Sequence, residues 1–305
     1  MKASDLFIKC LEEEGVNRIF GVPGEENADF MMSLRKSKKI DFILCRHEQA
    51  AAFMADTFGR LTGKAGVCLS TLGPGVTNLM TGLADANMDR APVVAIIGQG
   101  STQRLHKESH QIMDSISMVK PISKWAQTIL TAENITEVVR KAFKVAETEK
   151  PGLTVIELPE DIAQENVGDH PIPPILTRRP AADNRAIEEA LELIINAKNP
   201  IILAGNGTIR KRASNRLRIL VENLGIGVIN TFMAKGAISY KDKHSLFTIG
   251  LGSGDYNNLA IDESDLVIAI GYDLVEYSPS AWNRIEGGKK KIIHIDFSPA
   301  ENDKD

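Results

Sequence analysis

Apolar positions in the first 160 residues follow two alternating periods. Residues 3–14 place Leu6, Phe7, Cys10 and Leu11 at helical spacing, which predicts a helix with one buried face. The run 18–22 ends at Pro23-Gly24 and reads as a short strand. A helix over 27–36 and a strand over 41–45 (DFILC) follow. Residues 49–61 carry an Ala-rich helical pattern closed by Thr62-Gly63. The runs 65–71 (AGVCLST) and 92–98 (PVVAIIG) are continuously apolar. Between them, Gly73-Pro74-Gly75 opens a helix over 76–88. A helix over 137–147 and a strand over 153–158 complete the series. Unbroken apolar strands between amphipathic helices predict an α/β fold with a parallel sheet covered on both faces.

The pattern lapses over 164–184, where HPIPPILTRRP is rich in proline. Proline removes backbone donors and fixes φ, so this stretch reads as an interdomain linker. Helices over 185–197 and 214–224 then alternate with strands over 200–204, 227–230, 265–271 and 290–296. The expected layout is a first domain at 1–163, a linker at 164–184 and a second αβα domain at 185–305. The segment SMVKPISKW is expected to be structural, with Trp125 packed under a helix. No helical pattern follows the last strand, so the chain is expected to be a piece of a longer polypeptide.

Charge narrows the classes of partner. Lys and Arg number 36 against 40 Asp and Glu, which gives no attractive field for nucleic acid or an anionic membrane. No apolar run is long enough to span a bilayer. MKASDLF enters an amphipathic pattern at once, so no leader is expected. Cys10, Cys45 and Cys68 lie in apolar surroundings without metal-ligand spacing. Buried reduced thiols in a cytoplasmic compartment are expected. His47, His106 and His110 are not spaced as a metal triad, so no metal site is expected within the chain.

Ligands of parallel α/β sheets bind beyond the carboxyl ends of the strands. Four loops of the first domain leave such ends: Gly21 to Gly24, Arg46 to Gln49, Leu72 to Asn78 and Gly98 to Gly100. Glu48 opens a helix in which Ala50, Ala51, Ala52 and Ala55 let another surface approach closely. A carboxylate in such a seam can share a proton with a ligand nitrogen. It can equally cap its own helix and favour the N-terminal dipole, and spacing leaves both readings open. GPGVTN is a rigid turn that can bring bare backbone to a ligand or serve as an ordinary helix start. It is not a P-loop, because no Gly-Lys-Ser/Thr follows. In the second domain Gly205-Asn206-Gly207-Thr208 follows a strand. Arg210 stands where GxGxxG needs its third glycine, so a generic nucleotide-binding reading has little support.

GVPGEEN followed by RHEQAAAFMADTFGRLTGKAGVCLSTLGPGVTNLMTGLADANMDRAPVVAIIGQ resembles the pyrimidine-binding domain of thiamine diphosphate enzymes, acetolactate synthases above all. PIILAGNG and DLVIAIGYDLVEYSPSAWN resemble the central domain of that family. The GYD-VEY-P--WN pattern is similar to the catabolic, FAD-independent members. The biosynthetic members carry an Arg-Phe-Asp-Asp-Arg type of stretch instead, so no flavin is expected.

The resemblance implies that Glu48 hydrogen-bonds N1′ of the aminopyrimidine and favours the imino tautomer that activates the thiazolium carbon. It places Pro23 against the pyrimidine ring, Gly73 and Asn78 at the cofactor edge, and Gln111 of HQIMD on the substrate side. It implies decarboxylation of pyruvate and condensation with a second 2-oxo acid. Glyoxylate carboligase resembles this fold but lacks the glutamate, so Glu48 argues against that activity. Leu72 and Leu274 depart from the residues usual in the family. The family holds the diphosphate and Mg²⁺ on a third domain, with sites shared between subunits. No Gly-Asp-Gly…Asn motif of that domain occurs within 1–305. A homodimer or larger oligomer, inactive as this chain alone, is therefore expected. The alternatives are another 2-oxo acid decarboxylase or oxidase of the superfamily, or a non-catalytic interaction module.

Overall fold

In this computed structural model, residues 1–175, 180–210, 213–250, 256–283 and 290–298 are described. Part of the proline-rich linker (176–179) and residues 299–305, on which the expectation of a longer polypeptide rests, lie outside them. The chain divides into two compact units, Met1–Thr177 and Arg178–Asp305. Each contains one wholly parallel sheet flanked by helices. Among the described residues, no helix is long and apolar enough to cross a membrane.

The first unit runs α1 (Ala3–Glu13), β1 (Arg18–Gly21), α2 (Ala28–Leu34), β2 (Asp41–Leu44), α3 (Glu48–Thr62), β3 (Gly66–Ser70), α4 (Pro74–Met88) and β4 (Val93–Gln99). It continues through α5 (Ser115–Val119), β5 (Trp125–Thr128), α6 (Ile135–Glu147), β6 (Leu153–Pro159) and α7 (Glu160–Gln164). The sheet order is β2-β1-β3-β4-β6-β5. Successive side chains of a strand point to opposite faces, and both faces are covered here. Val67 and Leu69 of β3 enter one apolar cluster with α1 and α6, while Cys68 enters another with α3 and α4. All three cysteines are free and buried. Burial pushes the Cys10 and Cys68 thiols up to about 12, so both stay protonated.

The second unit runs α8 (Asn184–Asn196), β7 (Pro200–Ala204), α9 (Gly207–Arg210), α10 (Ser214–Leu224), β8 (Gly227–Thr231), β9 (Ser245–Ile249), α11 (Asn257–Asp262), β10 (Leu266–Ile270), α12 (Pro279–Trp282) and β11 (Lys291–Ile295). Its order is β11-β10-β7-β8-β9. Ile202 and Ala204 face one cluster, Ile201 and Leu203 the other.

Two strands escape the sequence pattern, and both are edge strands. β5 reads WAQT and β9 reads SLFTI, with mixed exposure along each. Gln127 and Thr128 in β5, and Ser245 and Thr248 in β9, interrupt the apolar run by which the other strands, the edge strands β2 and β11 included, are read. SMVKPISKW divides into α5, a 3₁₀ turn at Lys120–Ile122 and the start of β5. Trp125 packs half-buried against the α6 cluster, with the Lys141 ammonium 4.9 Å from its ring centroid. The stretch after α7 remains tied to the first unit. Val167 is buried there, and its N–H donates to the Met1 carbonyl at 2.9 Å.

Close backbone approach sets the spacing of this unit. A Cβ on Gly66 would lie 2.0 Å from the Ala55 carbonyl oxygen, so β3 and α3 meet backbone to backbone. Gly66→Ala is expected to lower stability by about 1–3 kcal/mol. Urea denaturation checks this, and an unchanged midpoint would show that the contact relaxes freely.

Candidate functional site

The chain leaves β1 for β2 and β3 for β4, toward opposite edges of the first sheet. The crevice between the carboxyl ends of β1 and β3 is therefore the topological switch point, where ligands of open α/β sheets bind. The loops on either side are stitched together. Thr71 Oγ1 donates to Glu26 Oε2 at 2.7 Å, and the Gly24 amide donates to Asn27 Oδ1 at 2.9 Å. A Cβ on Gly24 would fall 2.5 Å from that of Thr71, so only glycine fits. Pro23 stands exposed on this β1 loop.

Glu48 enters from β2. His47, in extended conformation, is the N-cap of α3, and its Nδ1 accepts the Gln49 amide at 3.1 Å. The capping role left open for Glu48 thus belongs to its neighbour. The Glu48 side chain, 9% exposed, turns instead toward α4. Its Oε2 accepts from Asn78 Nδ2 at 2.9 Å. Oε1 faces Gly75, where a Cβ would stand 3.6 Å away, and accepts no hydrogen bond among the described residues. Ala51, Ala52 and Ala55 are wholly buried in the seam, while Ala50 is exposed.

Gly73 begins α4 at φ 50° and ψ −110°, with Pro74 as the first helical residue. A Cβ at position 73 would lie 2.4 Å from the Gln111 carbonyl oxygen. The segment 100–114 therefore closes directly on the start of α4. Gln111 is exposed at φ 56°, a left-handed backbone for a residue with a side chain. The structure thus brings Glu48, Asn78, Gly73 and Gln111 to one end of the sheet, with Pro23 on the adjoining loop. Leu72 is fully buried beneath the turn. In the second unit Leu274 packs half-buried against a core cluster. His106 and His110 are exposed. Among the described residues, no group of three His, Cys, Asp or Glu side chains is placed to hold a metal ion.

The sequence pattern missed the residues that anchor 100–114. Gln99 Nε2 donates to Glu157 Oε1 at 2.9 Å and to the Met113 carbonyl at 3.1 Å, while Gln99 Oε1 accepts the Gly100 amide. Thr128 Oγ1 donates to the other Glu157 oxygen at 2.6 Å. Asp161 receives the Thr102 amide and hydroxyl and the Ser101 hydroxyl. Glu157 is 4% exposed, and burial pushes its carboxyl up against the opposing hydrogen bonds from Thr128 and Gln99. Its signal in the sequence was a single charge inside the apolar run LTVIELP.

The profile described as thiamine pyrophosphate enzyme, N-terminal TPP binding domain, matches residues 1–118. That of the thiamine pyrophosphate enzyme central domain matches 187–305. A probable acetolactate synthase large subunit of Methanococcus aeolicus is 39% identical over 99% of this chain and 51% of its own. The acetolactate synthase of Bacillus subtilis is 36% identical over 99% of this chain and 53% of its own. Glyoxylate carboligase of Escherichia coli O157:H7 is also 36% identical, over 99% of this chain and 51% of its own. The chain spans about half the length of these curated relatives.

Two outcomes are expected from this geometry. In a double-mutant cycle of Glu48→Ala and Asn78→Ala, the coupling should be about 1.5 kcal/mol, as for hydrogen bonds to charged groups. A value near zero would mean the bond is not made in solution. Glu157, whose folded pKa lies above its ordinary 4.5, favours folding most below pH 4.5, and that contribution is lost as pH rises through the folded value. The stability of Glu157→Gln minus that of the native chain should therefore grow from pH 4.5 upward and level off. A flat difference in denaturation midpoints would contradict it.

Proposed function

This chain belongs to the thiamine pyrophosphate enzyme family, and on that premise we propose that it supplies the pyrimidine half of the cofactor site of an acetolactate synthase-like carboligase. The reaction is decarboxylation of pyruvate and condensation of the two-carbon unit with a second 2-oxo acid. One observation carries this reading. The buried Glu48 carboxylate has one oxygen held by Asn78 and the other turned to the glycine turn, where it accepts no hydrogen bond among the described residues.

That arrangement fits a ring nitrogen that must exchange a proton. Bound thiamine diphosphate supplies the electron sink that decarboxylation needs. Glu48 Oε1 is the atom that would hold or release the proton at pyrimidine N1′. Asn78 fixes the carboxylate rotamer so that this oxygen keeps its direction. The bare backbone at Gly73 and Gly75 allows a ring to approach. Pro23 would pack against that ring, and Gln111 faces the substrate side on a segment held by Gln99 and Glu157. The residues that hold the diphosphate and Mg²⁺ would come from polypeptide outside 1–305, since the relatives are about twice as long. No flavin is needed for this chemistry. A homodimer or higher oligomer would complete the site, in a cytoplasmic enzyme.

The glyoxylate carboligase relative supports a second reading, with glyoxylate as the 2-oxo acid. Glu48 favours the first, because the resemblance implies that glyoxylate carboligase lacks this glutamate. Product analysis separates acetolactate from acetaldehyde or acetyl phosphate, and glyoxylate offered alone tests the second reading. In the complete subunit, Glu48→Gln is expected to slow acetolactate formation by about 10²–10⁴-fold, the range of a lost proton-transfer group. Undiminished turnover would remove Glu48 from the chemistry.

A further inference from the structure

The second sheet has a switch point of its own. The chain leaves β7 for β8 and β10 for β11, toward opposite edges, so the loops after β7 and β10 flank one crevice. Glycines bring these loops together. The Gly205 amide donates to the Ile270 carbonyl at 2.9 Å, and the Gly207 amide to the Gly271 carbonyl at 2.8 Å. A Cβ on Gly205 would lie 2.4 Å from the Gly271 oxygen, and one on Gly271 would lie 2.6 Å from the Gly207 Cα. In dinucleotide-binding folds such packing presents bare N–H groups to a pyrophosphate.

Here the donors already have an acceptor from the chain itself. Glu276, 4% exposed, takes the Asn206 amide on both oxygens, at 3.0 and 3.1 Å. Its Oε1 also accepts the Asp273 amide at 3.0 Å, and its Oε2 accepts the Thr231 hydroxyl. The donors come from the carboxyl ends of three strands, β7, β10 and β8. Every one of these bonds is a donation to the carboxylate and favours its ionised form, against the burial that pushes its carboxyl up.

We propose that Glu276 is a built-in anion that fills the phosphate cradle of the second unit, so that this unit takes no nucleotide diphosphate while the carboxylate is present. The ligand class excluded is the pyrophosphate of flavin, nicotinamide and adenine nucleotides. This deepens the flavin-free reading above. It is independent of Glu48, and its test needs no turnover, so the two can fail separately.

The test compares the purified chain with Glu276→Gln and Glu276→Ala, using pyrophosphate, ADP and FAD in calorimetry and thermal melts. The native chain and Glu276→Gln, which keeps the side-chain volume, should show no binding. Glu276→Ala, which takes the carboxylate acceptor away from three donors, should bind pyrophosphate and ADP with Kd of about 1 mM or tighter and melt higher in their presence. If Glu276→Ala does not melt cooperatively alone, it is refolded with pyrophosphate, and recovery of a cooperative melt is the expected result. Stoichiometric FAD or ADP binding by the native chain would overturn the proposal. So would a folded Glu276→Ala that binds none of the three, or one that pyrophosphate cannot rescue.

Discussion

Helices α3 and α4 lie so close that a Cβ at Gly82 would come 2.6 Å from that of Ala52. This seam of small residues governs the first unit. Side by side, the helices are joined near both ends. At their amino ends Asn78 reaches the Glu48 carboxylate. Near their carboxyl ends Arg60 pairs with Asp56 on its own helix, with Asp85 on α4 and with Asp89 just beyond it, at 2.9, 2.9 and 2.6 Å. The Arg60 cluster is partly exposed, so solvent screens it and it adds little by itself. Dispersion and apolar burial along the seam hold the helices, and the polar groups set which residues meet.

The segment that carries Gln111 is held by a different principle. Few of its own residues are buried, and before α5 its regular structure is one 3₁₀ turn at Thr102–Arg104. Its position depends on side chains of β4, β6 and α7 that reach under it: Gln99, Glu157 and Asp161. Buried polar groups of this kind cost free energy unless every partner is in place. They favour one loop geometry over many and so fix the backbone of Gln111 beside the start of α4.

The two units share an architecture but differ in the mouth of the sheet. Both have parallel strands, a reversal of strand order and glycine turns at the crevice. In the first, a carboxylate oxygen beside the turn accepts no hydrogen bond among the described residues. In the second, a carboxylate is saturated by backbone and hydroxyl donors. The fold supplies the crevice in both cases, and the side chain placed in it decides what can enter.

The chain order of apolar runs was enough to establish the α/β class, the two sheets and the central strands, because strands covered on both faces must be apolar throughout. The edge strands β5 and β9 were not legible, since Gln127 and Thr128 in one and Ser245 and Thr248 in the other break that run. Glu48 and GPGVTN stood out in the sequence as chemistry at strand ends. Whether Glu48 capped a helix or faced a crevice depended on the rotamer that His47 and Asn78 impose, which is a tertiary matter. Gln99, Glu157 and Glu276 were invisible as anchors, because the pairings that tie separate elements together, Gln99 with Met113, Gln99 with Glu157 and Glu276 with Asn206, span 14, 58 and 70 residues of chain. Periodicity records which face of an element is buried. The pairing of one buried polar atom with another is decided only when the elements pack.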